Sequence, residues 1–321
     1  MINLKPNFLH KHLTPIIPAI AREILEAELT EDLFIKNTNN AGNKIYQFTA
    51  HQAPNLMREI GRLRELSFRD AGGGTGKEID IDEFDTMPTP FIQLIVWNPN
   101  DREIVGGYRY LKGIDIKINE EEIPHSPTAE LFQFSETFIK NYLPCSIEFG
   151  RSFVQPLYQP SNNFRKGMFS LHNVWDGIGY MLSKHSDIKY IFGKMTMYPH
   201  YNHKARNIIL CFLHQNFNDN EELLKPYKHL NRFERHKKLE RLFTEPTYEE
   251  NYKTLLKSVR KLNETVPPLF NAYMNLSPTM KCCGTALNAP FGDVEETAII
   301  ITIDDIYEIK KDRYFPTSEN Q

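Results

Sequence analysis

Apolar positions along the chain switch between helical and strand periodicities, and the switches divide the sequence into elements. Ile17, Ile20, Ile24, Leu25 and Leu29 recur at helical spacing with Glu23, Glu26 and Glu28 between them, predicting an amphipathic helix over 16–29. After a turn-rich stretch at 37–43, Ile45-Tyr46-Gln47-Phe48 suits a strand and marks the expected start of the sheet. Pro54 and Asn55 open a second helix, with Leu56, Ile60, Leu63 and Ser67 along its face and Gly72-Gly73-Gly74 at its end. The β-branched and aromatic runs 91–97 and 104–111 flank Asn98-Pro99-Asn100-Asp101 and read as a hairpin. Beyond it, helix is expected at 131–142, 169–184, 204–217 and 268–276, and strand at 146–154, 188–197 and 297–303.

A lone hairpin could not bury so many apolar strands, so this order predicts an α/β (α+β) chain on one mixed sheet with helices on its faces. Between 218 and 265 the strand signal disappears and charged helical sequence takes over, which predicts an insertion. Its character is basic: Lys225, Lys228, Arg232, Arg235, Lys237, Lys238 and Arg241 stand against Glu234 and Glu240. Over all 321 residues the charge nearly cancels, 38 Lys+Arg against 41 Asp+Glu, so no global positive field draws the chain to nucleic acid. Hydrophobic content of 40% and charged content of 25% exclude intrinsic disorder and a coiled-coil rod. No apolar run approaches the roughly 20 residues of a bilayer span. The run at 16–21 is broken by Pro18 and makes a poor secretory signal. The 4 cysteines, Cys145, Cys211 and the adjacent Cys282 and Cys283, fit neither a disulfide framework nor zinc spacing, so a reducing, cytoplasmic setting is expected.

Common catalytic signatures fail on inspection. The glycines from Gly72 to Gly76 precede Lys77 as in a phosphate loop, but Ala71 and Glu78 stand where that motif needs Gly and Ser/Thr, leaving a flexible loop. His214 and Asp219 fit the H-x4-D spacing of glycerolipid acyltransferases, a match that chance supplies in a chain with 11 histidines. There is no HExxH, no GxSxG and no zinc-spaced Cys/His cluster, so no metal is implied.

A charged constellation in the first half is more informative. Arg64 and Phe68, four apart on the second helix, share one face. Asp82 and Asp85 stand just before the hairpin, and Arg109 sits inside a strand, an unusual place for a fixed cation. Glu148 and Arg151, three apart on the strand 146–154, are expected to point to opposite faces. Taken alone, these charges fit a structural ion-pair network as well as a catalytic one.

Their order is that of a family. Arg64-x-x-x-Phe68, Asp82-x-x-Asp85, Gly107-x-Arg109-x-Leu111 and Glu148-x-x-Arg151 resemble the hemolysin-like branch of the GNAT acyltransferase superfamily. That branch holds the ornithine- and glycine-lipid N-acyltransferases and, more distantly, the acyl-homoserine-lactone synthases. Tyr190-Ile191-Phe192-Gly193, the Pro267-Pro268-Leu269-x-x-x-Tyr273-x-x-Leu276 helix and Asp293 resemble the lipid-forming group.

The resemblance implies a GNAT-like mixed, mostly antiparallel sheet flanked by helices, with 1–44 as a helical extension, 45–321 as one acyltransferase domain and 218–265 as its basic insertion. It implies transfer of a long, optionally 3-hydroxylated acyl group from acyl carrier protein to the α-amine of an amino acid in aminolipid synthesis, without a bound cofactor. Glu148 would be the base, with Arg151, Arg109, Asp82 and Asp85 organising the catalytic site. Arg64, Phe68 and Phe153 would contact substrate, and amides near Phe153 would stabilise the oxyanion. The superfamily's pyrophosphate loop is not intact; Arg165, Lys166 and the Gly167 amide, at a helix start, would hold the phosphopantetheine phosphate. The basic segment 225–241 would meet carrier protein or the inner membrane face peripherally, or else form a solvated helix face. The alternatives are an acyl-homoserine-lactone synthase using S-adenosylmethionine and a non-catalytic carrier-binding or membrane-active protein.

Overall fold

In the main sheet every neighbouring pair of described strands is antiparallel except one, and that exception lies near its centre. The structure is a computed structural model and describes residues 13–228, 230 and 237–314. Its strands are β1 (Phe34–Asn37), β2 (Lys44–Phe48), β3 (Ile92–Asn98), β4 (Glu103–Lys112), β5 (Phe132–Phe134), β6 (Ser146–Val154), β7 (Tyr190–Met197), β8 (Leu224–Pro226), β9 (Lys281–Asn288) and β10 (Val294–Thr302). The main sheet runs β1-β2-β3-β4-β6-β7-β10-β9, and β5 pairs with β8 in a separate ribbon. The helices are α1 (Arg22–Glu28), α2 (Pro54–Asp70), α3 (Glu83–Thr86), α4 (Phe164–Gly167), α5 (Ser170–Ser183), α6 (His203–Phe217), α7 (Lys237–Glu240), α8 (Tyr248–Arg260), α9 (Pro268–Met274) and α10 (Glu308–Tyr314). The alternation of periods predicted one mixed sheet with helices on its faces, and the family resemblance implied that it is mostly antiparallel; the structure has both features.

One face of the sheet is mainly apolar, with an Arg206–Glu295 ion pair at its edge. Tyr108, Ile147, Phe149, Met195 and Ile299 pack there under Trp175 and Ile178 of α5, Phe212 of α6, Leu255 and Val259 of α8, and Phe270 of α9. The other face is divided. Ile95, Phe153 and Val294 meet Leu56, Ile60 and Leu63 of α2 at one end. Phe91, Leu111, Phe192 and Ile300 meet the β5–β8 ribbon at the other. Between these two apolar patches runs a band of polar side chains, in which Gln93 of β3 pairs with Arg109 of β4, and Arg109 with Gly150 of β6.

The parallel pair β6–β7 is joined only from Ser146↔Tyr190 to Phe149↔Gly193, although both strands continue. A bulge explains why the strands part. On β4 one residue, Tyr108, separates the partners of Gly150 and Phe153, while on β6 two residues, Arg151 and Ser152, fill the same interval. Arg151 absorbs the extra length with a φ of +52°, and such a bulge bends its strand. β7 stays paired with β10 as far as Met197↔Glu295, so the sheet opens on one side of β7 only.

Several expectations are corrected. The first helix begins at Arg22, because Pro15 and Pro18 disfavour helical backbone at the residues before them; 13–20 instead runs alongside 76–78, with Thr14 and Ile17 donating to the Gly76 and Glu78 carbonyls. The sheet begins at Phe34 rather than 45, so part of the expected helical extension is strand. Within 131–142, Phe132 and Phe134 are buried while Gln133 is exposed, a period of two that makes β5, and only 136–142 is helical, ending in a π turn at Phe138–Tyr142. The edge strand β9 has a weak pattern broken by Gly284 and was not expected. In the proposed insertion, β8 pairs with β5, and α8 packs on α6. Residues 229 and 231–236, and the side chains of Lys237 and Lys238, lie outside the described residues, so the basic segment's Arg232 and Arg235 do as well.

Phe212 is fully buried and its ring meets Phe243, Tyr248 and Tyr252, joining α6 to the 218–265 segment. Phe212→Ala should cost about 3–5 kcal/mol in denaturant unfolding. The wild type should unfold in one transition, and a separate earlier transition for 218–265 would contradict a shared core.

Candidate active site

Three arginines and three aspartates meet in the polar band. Arg64 projects from α2 and is fully buried; its Nη1 lies 3.2 Å from both Asp85 oxygens, and its Nη2 donates to Gln93 Oε1. Arg109 grips Asp82 through both terminal nitrogens, Nη2 to Oδ2 at 2.8 Å, and its Nη1 lies 2.9 Å from Asp85 Oδ2. Its guanidinium lies 5.1 Å from the Phe91 ring centroid and 5.7 Å from that of Phe84. Arg151 Nε lies 2.8 Å from Asp80 Oδ2 and its Nη2 donates to Asp82 Oδ2 at 3.3 Å, while its guanidinium lies 4.5 Å from the Phe291 ring centroid. Gln93 closes the network by donating to Asp85 Oδ1 at 3.0 Å.

The acidic segment is built for this task. Asp82 caps α3, and the Asp82 amide donates to Asp85 Oδ2 at 3.2 Å, so the backbone turn fixes the spacing of the two carboxylates. Burial opposes the charge of Asp85, but Arg109 and Arg64 outweigh it and hold that carboxyl well below the usual range. Asp80 differs: burial outweighs Arg151 and Arg64 and raises its proton affinity.

Arg151 does not point away from Glu148, as simple alternation predicted. The bulge adds a residue and the positive φ rotates the chain, so Arg151 reaches Asp82 on the face that also carries Arg109. Glu148 lies on this face as well, since it pairs with Leu111, two residues from Arg109 on β4. Glu148 is 1% exposed and touches no arginine; the Thr128 amide and hydroxyl donate to its Oε1 at 2.9 and 2.6 Å. Its Oε2 has no hydrogen-bond partner among the described residues. Burial, only partly offset by Thr128, Lys194 and Ser126, raises the proton affinity of this carboxyl. A buried carboxylate with one open oxygen, one rung before the last pair joining β6 to β7, is equipped to accept a proton.

Residues 63–166 match the model of the acetyltransferase (GNAT) domain. The glycine N(α)-acyltransferase of Bacteroides thetaiotaomicron is 52% identical over 302 residues, covering 94% of this chain and 90% of its own length. That of Phocaeicola vulgatus is 50% identical over 306 residues, covering 95% and 94%. The chain belongs to this family of GNAT N-acyltransferases. Among solved structures, a CoA-dependent acyl-homoserine lactone synthase, BjaI, with SAM and isopentyl-CoA, aligns at 11% identity and a TM-score of 0.35, covering 86% of this chain and 92% of that one.

For this N-acyltransferase the other expected site residues divide. Phe68 and Phe153 are buried in the apolar patch at one end of the band, Phe68 edge-on to Phe291 at 5.2 Å. The glycine loop after α2 is pinned rather than loose: Glu65 accepts from the amides of Thr75 and Gly76 at 2.9 and 2.8 Å, and Gly73 packs against Gly292. Gly167 ends α4 instead of starting a helix, and its amide donates to the Asn163 carbonyl at 2.9 Å. Lys166 is paired with Asp101 at 2.8 Å. Of the three proposed phosphate contacts, only Arg165 is exposed without an ion pair among the described residues. The C-terminal motif helix α9 lies on the opposite face, where Pro268, Asn271 and Leu276 help line a groove of about 670 Å³ with Trp175 and Tyr252. Asp80, Gln93 and Thr128 were missed, although Gln93 is the one polar residue in the run Phe91 to Trp97 and so carried a signal.

Opposite pH signatures follow. Asp85 has a depressed folded value, so its stabilisation is present above the ordinary carboxylate range and lost as pH falls through that value. Asp85→Asn should therefore cost about 3–5 kcal/mol at neutral pH, and less in acid, by denaturant unfolding. Glu148 has a raised value, whose favourable contribution is present in acid and lost as pH rises through it. Glu148→Gln should melt higher than wild type at neutral pH, with the gain fading on acidification.

Proposed function

We propose that this N-acyltransferase moves a long acyl group from acyl carrier protein to the α-amine of glycine or another amino acid, as a step of aminolipid synthesis. The observation carrying this reading is the Glu148 carboxylate, buried, with Oε2 open, beside the place where β6 and β7 separate. Past Phe149 and Gly193 the facing edges of these strands have no partner in each other, which suits an extended pantetheine arm. Gln155 donates to the Val105 carbonyl on β4 at 3.0 Å, so alternation turns the Ser152 and Val154 amides, on either side of Phe153, toward the opening.

The amine nitrogen attacks the thioester carbonyl carbon while Glu148 Oε2 takes its proton, directly or through one water. The oxyanion is stabilised by the amides flanking Phe153. Its collapse breaks the carbon–sulfur bond, and the proton held by Glu148 passes to the departing thiolate, leaving an amide, a free thiol and a regenerated carboxylate. No covalent enzyme intermediate is needed. Arg109 and Arg151 act here as organisers, because Asp82, Asp85 and Asp80 occupy their guanidinium groups.

The similarity to enzymes named for glycine supports a small amino acid as acceptor. Leu157, Phe164 and Met168 are exposed around Arg165 and Lys166, a mixed apolar and basic rim suited to an acidic carrier protein or to peripheral contact with an anionic membrane. No helix among the described residues is long and apolar enough to cross a membrane.

Purified protein given 3-hydroxyacyl or acyl thioesters of carrier protein, and a panel of amino acids, should release thiol and form N-acylglycine faster than other N-acyl products. Glu148→Gln should lower kcat about 10²-fold or more. Absence of thiol and amide, or formation of a lactone with S-adenosylmethionine, would overturn the reading; equal rates with acyl coenzyme A would overturn the carrier preference.

A further inference from the structure

The polar band does not stop at β6. On β7, Lys194 follows Phe192 by two residues, and Phe192 is the cross-strand partner of Glu148, so all three side chains share one face. Lys194 is largely buried, its side chain 12% exposed, and its ammonium lies 3.1 Å from Glu296 Oε2 on β10, which is 6% exposed. The ammonium also donates to the Pro127 carbonyl. The next residue is Thr128, whose amide and hydroxyl hold Glu148. A single tripeptide, Ser126-Pro127-Thr128, thus clamps a carboxylate on β6 and an ammonium on β7 across the parting strands.

Charge balance gives this clamp a purpose. The other cations that face this part of the sheet, Arg64, Arg109 and Arg151, are matched by Asp85, Asp82 and Asp80. Lys194 serves Glu296 by contact and Glu148 through the field, with Glu130 from the adjoining loop also within its influence. We propose that Lys194 is a positioning residue, clamped by Glu296 and Pro127 so that its ammonium is the counter-charge holding buried Glu148 as a carboxylate that can take the amine's proton. The role rests on the acyl-transfer reading above, with Glu148 as the base. Glu296 works in the opposite sense, since it neutralises part of the Lys194 charge and so leaves Glu148 more basic than the full ammonium charge would.

The two partners therefore move the same titration in opposite directions. Lys194→Met removes the counter-charge, and the acid limb of kcat/KM should move up by about one pH unit; Glu296→Gln frees that charge and should move the limb down. The double variant should return toward wild type. Glu148 can be followed independently of turnover by the infrared carboxyl band that is absent from Glu148→Gln, and it should shift in step. If Lys194→Met does not fold, Glu296→Gln alone must still lower both limb and band. Unmoved limbs and an unmoved band, or shifts of the same sign in both variants, overturn the proposal. Bands that shift as expected in the variants, while the wild-type protein makes no amide, uphold the coupling and overturn the catalytic reading instead.

Discussion

Two buried guanidinium groups, Arg64 and Arg109, and a third, Arg151, largely covered beside them must be neutralised where they stand, and that requirement dictates the backbone around them. An uncompensated buried charge costs several kcal/mol, so Arg64, Arg109 and Arg151 cannot be separated from Asp80, Asp82 and Asp85. The Asp82 cap of α3 exists in this context, because it places two carboxylates on one turn against the sheet. So does the left-handed residue in β6, which turns Arg151 toward its partners. Strain at a non-glycine residue of this kind costs of order 1–3 kcal/mol, and the ion pairs with Asp80 and Asp82 compensate it.

The same bulge connects the charged network to Glu148, the proposed base. By lengthening β6 opposite Tyr108, it ends the pairing with β7 at Phe149 and leaves strand edges open beside Glu148. Glu148 stays outside the arginine network, held by Thr128 through one oxygen only. An arginine contact would have held it ionised and weakly basic; burial among Phe192 and its neighbours, tempered by Lys194, does the reverse. The network fixes the frame, and the separation of Glu148 from it preserves the chemistry.

Elements with strong local periodicity were legible in the sequence, as α2, the β3–β4 hairpin, α5, β7 and α6 demonstrate. The failures are non-local or steric. Two prolines override the apolar spacing before α1, and β5 exists because β8 arrives from far along the chain to pair with it. The charged residues of the network were also readable, since five of its members follow a family order. Their geometry was not: a spacing of three on a strand implies opposite faces unless a bulge intervenes, and Gly150 beside Arg151 is only a weak signal of one. Lys194 and Glu296 carried only the weak signal of charges inside apolar strands, and their meaning depends on a loop, 126–128, that periodicity does not describe.

The central claim is that the opening between β6 and β7 receives the acyl thioester with its carbonyl beside Glu148. A crystal structure with a non-hydrolysable acyl-pantetheine analogue tests it most directly. The account predicts the arm extended along β6 past Phe149, its carbonyl oxygen within hydrogen-bond distance of the Ser152 or Val154 amide, and Glu148 Oε2 facing the carbonyl carbon. An arm seated instead in the groove of Trp175, Tyr252 and Asn271 on the opposite face, with the β6–β7 opening unoccupied, would contradict it.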